Sequence, residues 1–206
     1  MPRVKNQDAR REALRTAMRR AIAERGPAGV RLRDVAREAG MSPQSVLYYY
    51  PDIDALVEES IANVHARYAD ERRSVAEGLE GSEDQLRAVI EAGFPEGEDD
   101  EHLLVLYQSV GAVRASLALQ TSTRAMTERQ VDLYQRILEV GEARGEFALT
   151  GDARTIASNL VALEDAYGGY IVERAGVVGH SEAIERVLAY ARLATGAALA
   201  RLNGGS

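Results

Sequence analysis

Gly26-Pro27, Gly40 and Pro51 cut the first fifty residues into three blocks, each long enough for a helix and for nothing larger. The first, from about Asn6 to Arg25, sets Leu14, Met18, Ala21 and Ile22 at helical spacing. The second, Leu32 to Ala39, stops at Gly40, and the third opens at Ser42-Pro43 and ends before Pro51. Strand-like alternation bounded by hairpin turns is absent from the chain, so the class is read as all-α, with about nine helices.

Beyond Pro51 the blocks lengthen. Asp52 reads as the N-cap of a helix through about Glu77, with Leu56, Val57, Ile61, Val64 and Tyr68 on one stripe. Ser82 to Ala92 is a further short helix, and the acid-rich run from Pro95 to Glu101 reads as a solvated loop, since His102 alone beside it makes no metal site. His102 to Leu119 is expected to be helical, with a break near Gly111. Thr121 or Ser122 is expected to cap the next helix, which ends around Gly145. Two last helices are read over Asp152–Arg174 and Ser181–Leu202, followed by a frayed tail from Asn203 to Ser206.

Charge is divided unevenly along the chain. Residues 1–50 hold eleven Lys or Arg against five acids, +6, while the remainder holds fourteen against twenty-seven, −13, within an overall −7. A basic head concentrates a polyanion, and an acidic body limits indiscriminate adhesion to it. With no cysteine, disulfides and thiolate metal sites are excluded, and no apolar run reaches the ~20 residues of a membrane span. The N-terminal residues carry no apolar signal region, so a cytoplasmic protein is expected. No Gly-rich phosphate loop, nucleophile elbow or paired histidines appear, so neither enzyme chemistry nor a cofactor nor a metal is read from the chain.

The stretch Val30 to Pro51 has the organisation of a helix-turn-helix. Leu32, Val35, Ala36 and Ala39 form one stripe, small Ala36 permits close helix approach, and Gly40 supplies the positive φ of a tight turn. Met41 plugs the turn, Ser42 caps, Pro43 takes the first helical position, and Val46 and Leu47 are expected to face inward with Tyr50. Pro43, Gln44, Ser45, Tyr48 and Tyr49 are left facing outward. Glutamine can pair two atoms of adenine in the major groove, serine and proline can meet base edges or a thymine methyl, and tyrosine hydroxyls reach phosphate. Arg33 is placed to touch base or backbone, and Lys5, Arg10 and Arg11 form an arm for phosphate or the minor groove.

In this register Gly26, Arg33-Asp34-Val35-Ala36, Ala39-Gly40-Met41-Ser42, Ser45-Val46-Leu47-Tyr48-Tyr49-Tyr50-Pro51 and Leu56 resemble, without a gap, the DNA-binding domain of the TetR family of transcriptional regulators. The resemblance implies that Gln44, Ser45 and Tyr48 face bases and that Tyr49 contacts phosphate. It also implies two domains, a helix-turn-helix domain over 1–51 and a ligand-sensing and dimerisation domain over 52–206. The implied function is a repressor, bound as a homodimer to an inverted-repeat operator and released by a small-molecule effector. An architectural DNA-binding protein without ligand, or an all-helical enzyme, are the alternatives. Three positions depart from the family pattern. Arg31 stands where Thr or Ser usually caps the second helix, Ile53 where a lysine usually meets phosphate, and Leu47 where a tyrosine is usual.

The residues Ala157 to Tyr170 are similar to the C-terminal domain of the choline-operon repressor type. Ala157, Leu160, Val161 and Leu163 on one helix, with Ile184, Val187, Leu188, Ala191, Leu193 and Ala194 on the next, form apolar stripes. They suit either a four-helix dimer interface or the monomer's own core. An effector pocket is expected among Tyr107, Gln108, Arg114, Met126, Tyr134, Asn159, Glu164 and Tyr167, of which Glu164 and Tyr167 suit a cationic or aromatic ligand.

Overall fold

A computed structural model describes residues 2–94 and 100–199, with side chains from Gln7 onward. Ten α-helices and no strand occur among these residues: α1 (Pro2–Arg25), α2 (Leu32–Glu38), α3 (Pro43–Tyr49), α4 (Ile53–Glu77), α5 (Ser82–Glu91), α6 (Glu101–Gln108), α7 (Val110–Ala115), α8 (Leu117–Ala143), α9 (Ala153–Val172) and α10 (His180–Thr195). None of the described helices is long and apolar enough to cross a membrane. The residues from Pro95 to Asp99, within the stretch expected to be an acidic loop, the side chain of Lys5 and the tail lie outside the described residues.

The chain forms two compact units, residues 1–67 with 101–124 and residues 68–100 with 125–206. In the first, α1 buries Leu14, Met18 and Ile22 against Val35 and Ala36 of α2, Val46 of α3, Leu56 and Ile61 of α4, and Val105 of α6. Each fully buried Leu or Ile contributes roughly 1.5–3 kcal/mol of apolar transfer, so this small core holds the short α2 and α3, which could not persist alone. Two polar links tie the part of α4 in this unit to α8 and to the serine just before it. Ser116 Oγ donates to Glu58, and His65 Nδ1 lies 3.0 Å from Ser122 Oγ. Burial, with no compensating charge, lowers the His65 pKa.

In the second unit α10 lays Ile184, Val187, Leu188 and Ala191 against Ile156, Ala157 and Leu160 of α9 and Leu86 and Ile90 of α5. Of the two uses the apolar stripes suited, a dimer face or the chain's own core, they largely serve the second. Of the residues named for it, Leu163 is half-buried and only Leu193, 77% accessible, is exposed. Gly141 is required here because a side chain would enter the Phe147 ring, which packs directly over it.

Several boundaries differ from those expected. The apolar stretch after Glu101 breaks at Ser109 rather than near Gly111; the Ser109 hydroxyl bonds back to the Val105 carbonyl, which also accepts the Ser109 N–H. The following helix begins at Leu117, with Ser116 Oγ accepting from the Leu119 N–H, so neither Thr121 nor Ser122 is the cap; Thr121 bonds back to Leu117 inside the helix. α10 ends at Thr195, where Gly196 turns left-handed at φ 69°. Residues 2–5 belong to α1, so the expected basic arm is a helical extension.

Candidate functional site

The turn between α2 and α3 is a Schellman motif. Gly40 at φ 66° lets its N–H reach the Arg37 carbonyl and the Met41 N–H reach Ala36 at 2.8 Å, which closes the last turn of α2. Met41 then packs half-buried on the core. Ser42, extended at φ −78° and ψ 151°, accepts from the Ser45 N–H at 3.1 Å, and Pro43 takes the position where no N–H is needed. This short α3 is seated by Val46 and, at its end, by Tyr50, both in the core. The Tyr50 hydroxyl donates to Glu59 at 2.9 Å, and Arg15 reaches the same oxygen at 3.0 Å, so α1, α4 and the end of α3 share one carboxylate. Burial, reinforced by Glu59, raises the Tyr50 pKa to about 12 and keeps the hydroxyl a donor.

With Val46 and Tyr50 facing inward, Pro43, Gln44 and Tyr48 face solvent, Tyr48 at 75% accessibility. Ser45 is half-buried and shares a 2.8 Å hydrogen bond with the Ser42 hydroxyl, while Tyr49 is half-buried and stacks edge-on against Tyr48. Leu47, expected to face inward, is 41% exposed, because it falls one position past Val46 around a helix whose inward face is already filled.

Around α3 the arginines divide. Arg37 pairs with Asp34 and Arg20 with Glu38, whereas Arg33 is exposed and joins no ion pair among the described residues. Arg10 is exposed, and Arg11 stands over the Tyr50 ring at 5.8 Å. Arg31 folds its guanidinium onto the Ala28 and Val30 carbonyls at 3.1 Å, which bridges the missing cap of α2 to the preceding turn. Asp52 caps α4 through the Ala55 N–H at 2.8 Å, and Ile53 packs on the core. Those two side chains therefore serve the start of α4.

The residues expected to form an effector pocket are distributed over both units. Tyr107, Gln108 and Arg114 belong to the first, where the Gln108 amide donates to the Ala23 carbonyl at 3.1 Å. Met126, Tyr134, Asn159, Glu164 and Tyr167 belong to the second. There Asn159 donates to Tyr190, Arg186 stands 5.6 Å from the Tyr167 ring, and Met126 is buried.

Tyr134 and Glu164 meet, through the Tyr134 hydroxyl donating to Glu164 Oε1, in a buried cluster around Arg72. Arg72 and Glu164 are each only 2% accessible and pair at 2.8 Å. Arg72 also donates to Gln130 Oε1 at 2.7 Å, Tyr68 Oη at 3.2 Å, the Val89 carbonyl at 2.8 Å and Tyr134 Oη at 2.7 Å. Burial pushes Glu164 up to about 7 against the pull of Arg72. Burial opposes the charge on Arg72 as well, but Glu164 and the tyrosines outweigh it, and the guanidinium stays charged. A Cβ on Gly93 would lie 2.6 Å from Glu164 Oε1, so only glycine closes this wall. Reading the sequence missed Arg72, Gln130 and Gly93. The available signal was Tyr68 and Arg72 at i, i+4, on the same helical face as the apolar stripe.

A capped, outward-facing second helix, a left-handed glycine turn and a basic first helix define a helix-turn-helix DNA-binding fold. The sequence profile of the bacterial regulatory proteins of the tetR family matches residues 14–60. The HTH-type transcriptional regulator BetI of Burkholderia cenocepacia is 32% identical over 203 residues, spanning 92% of this chain and 99% of that protein. BetI of Burkholderia mallei is 33% identical over 172 residues, spanning 80% and 83%. The chain belongs to the tetR family, and it is a helix-turn-helix transcriptional regulator. Among solved structures, a transcriptional regulator from Saccharomonospora viridis in complex with choline shares the fold at a TM-score of 0.82 and 20% identity, covering 92% of this chain and 98% of that one. A TetR-family regulator from Rhodococcus sp. does so at 0.75 and 24%, covering 91% and 98%.

Proposed function

We propose that this protein is a cytoplasmic repressor that binds an inverted-repeat operator as a homodimer and is released by a small-molecule effector. The observation that carries the DNA half is α3, whose Gln44 and Tyr48 point to solvent from a helix fixed at both ends. Gln44, Ser45, Tyr48 and Pro43 read base edges, while Tyr49, Ser42 and Arg33, with Lys5, Arg10 and Arg11 of the first helix, hold phosphate. Residues 1–51 form the reading head, and 52–206 carry sensing and dimerisation. The pairing surface in this reading is the outer face of α9 and α10, where Ala162, Ala166, Tyr170, Ala189 and Leu193 remain exposed once the inner stripes are buried.

Support for an effector comes from the buried polar cluster in the second unit and from the choline complex of the S. viridis regulator. A ligand that prefers one arrangement of the dimer shifts the spacing of its two heads away from that of the half-sites. The test is a mobility-shift titration with the DNA flanking the protein's own gene, against the same DNA with one half-site scrambled. Tight binding to the intact sequence alone, by a dimer in gel filtration, is expected. Equal affinity for both DNAs, or a monomer that binds, would overturn the proposal.

A further inference from the structure

The hydrogen-bond balance of the Arg72 cluster is lopsided. Arg72 Nη2 faces three oxygens, Val89 O, Tyr134 Oη and Glu164 Oε1, with two hydrogens to give. Arg72 Nε, on the same edge of the guanidinium, has no partner among the described residues, and neither does Gln130 Nε2, although both residues are 98% buried. The orphaned groups are therefore N–H donors, and donors without partners call for an acceptor. The Nε–Nη2 edge is the one that takes a carboxylate with two parallel hydrogen bonds, and here only its Nη2 half is used. Places for a cation are already filled, since the guanidinium itself stands 5.3 Å from the Tyr68 ring and 5.2 Å from the Tyr134 ring.

We infer that this cluster is the binding site of a small organic carboxylate, which takes the Nε–Nη2 edge of Arg72 and the amide of Gln130, and for which Glu164 is the internal stand-in that the ligand displaces. In the free chain Glu164 neutralises Arg72 so that the cation can stay buried. An incoming carboxylate supplies the same charge with a second hydrogen bond, and Tyr134, which now donates to Glu164, can donate to it instead. This inference deepens the effector reading above and rests on it only for the consequence at DNA.

The experiment is calorimetric titration of the full-length protein with acetate and benzoate, with benzyl alcohol and choline as neutral and cationic counterparts, in the parent and in Glu164→Gln. The glutamine keeps the shape and an acceptor oxygen but not the charge, so carboxylate affinity should rise at least tenfold, while benzyl alcohol and choline bind in neither protein. Arg72→Lys, which keeps charge but loses the two-pronged edge, should lose most of that affinity, and Gln130→Leu part of it. Failure of Glu164→Gln to bind either carboxylate more tightly than the parent overturns the inference. So does choline binding that Glu164→Gln abolishes. The same preparations go into the mobility shift. Carboxylate binding that leaves the DNA complex intact keeps the site and removes its effector role, and a protein that binds no operator still yields the calorimetric answer.

Discussion

Replacing Arg72 with methionine tests whether Glu164 depends on it for its charge. In the parent, burial holds the Glu164 pKa at about 7, against an ordinary value of 4.5. The native chain therefore binds this proton more tightly than the unfolded one. Its contribution to stability is complete at low pH, falls by about 1.4 kcal/mol per unit as pH rises from about 4.5 to about 7, and is level above that. Arg72→Met removes the cation that lets Glu164 ionise, so the falling limb runs on past neutrality. A pH-independent part comes from the Val89 carbonyl and Gln130 Oε1, which lose their donor. At about 1–3 kcal/mol for each stranded acceptor, this part should be about 2–6 kcal/mol. The variant's deficit is then constant below about pH 6 and grows by about 2–3 kcal/mol between pH 7 and 9. Urea denaturation followed by circular dichroism at pH 6, 7, 8 and 9 measures it, and Arg72→Met/Glu164→Leu should cancel the growing part. A deficit equal at pH 6 and 9, or one that widens towards acid, would refute the reasoning.

Four further outcomes are expected. Gly40→Ala should lower stability by about 1–2 kcal/mol from backbone strain alone, because its Cβ meets nothing within 4 Å, and thermal melting should show it. Ser42→Ala should cost about 1 kcal/mol of stability through loss of the α3 cap and should weaken operator binding as well. Gly141→Ala should destabilise by about 1–3 kcal/mol by driving into Phe147, and Phe147→Leu in the same chain should relieve much of it. Gln44→Ala should leave melting unchanged and weaken operator binding by about 1–3 kcal/mol, read by mobility shift.

The DNA-reading half was legible because its signals are local. A glycine at a left-handed turn, a serine cap followed by proline, and an aspartate cap on α4 each act over three or four residues, and each occurs where the sequence puts it. Leu47 was misjudged for a related reason: seven residues offer one inward stripe, and Val46 with Tyr50 already fill it. The second unit was less legible because its decisive contacts join residues far apart in the chain. Arg72 sits in the run Ala69-Asp70-Glu71-Arg72-Arg73, which reads as a solvated helix face, and only the fold brings Gln130, Tyr134 and Glu164 to it. The helix boundaries at Ser109 and Ser116 were missed because a serine inside an apolar run carries no breaker signal comparable to glycine or proline.

On α3 two of the outward residues, Gln44 and Tyr48, take no part in seating the helix on the core. Val46 and Tyr50 hold it down, while positions 44 and 48 face solvent and the one ring contact of Tyr48 among the described residues is the edge of Tyr49. Such a division leaves these two sites open to change under selection, or in a two-position library, with the fold untouched. With base reading assigned to these positions as proposed above, target preference can drift between descendants of one scaffold much faster than the scaffold itself.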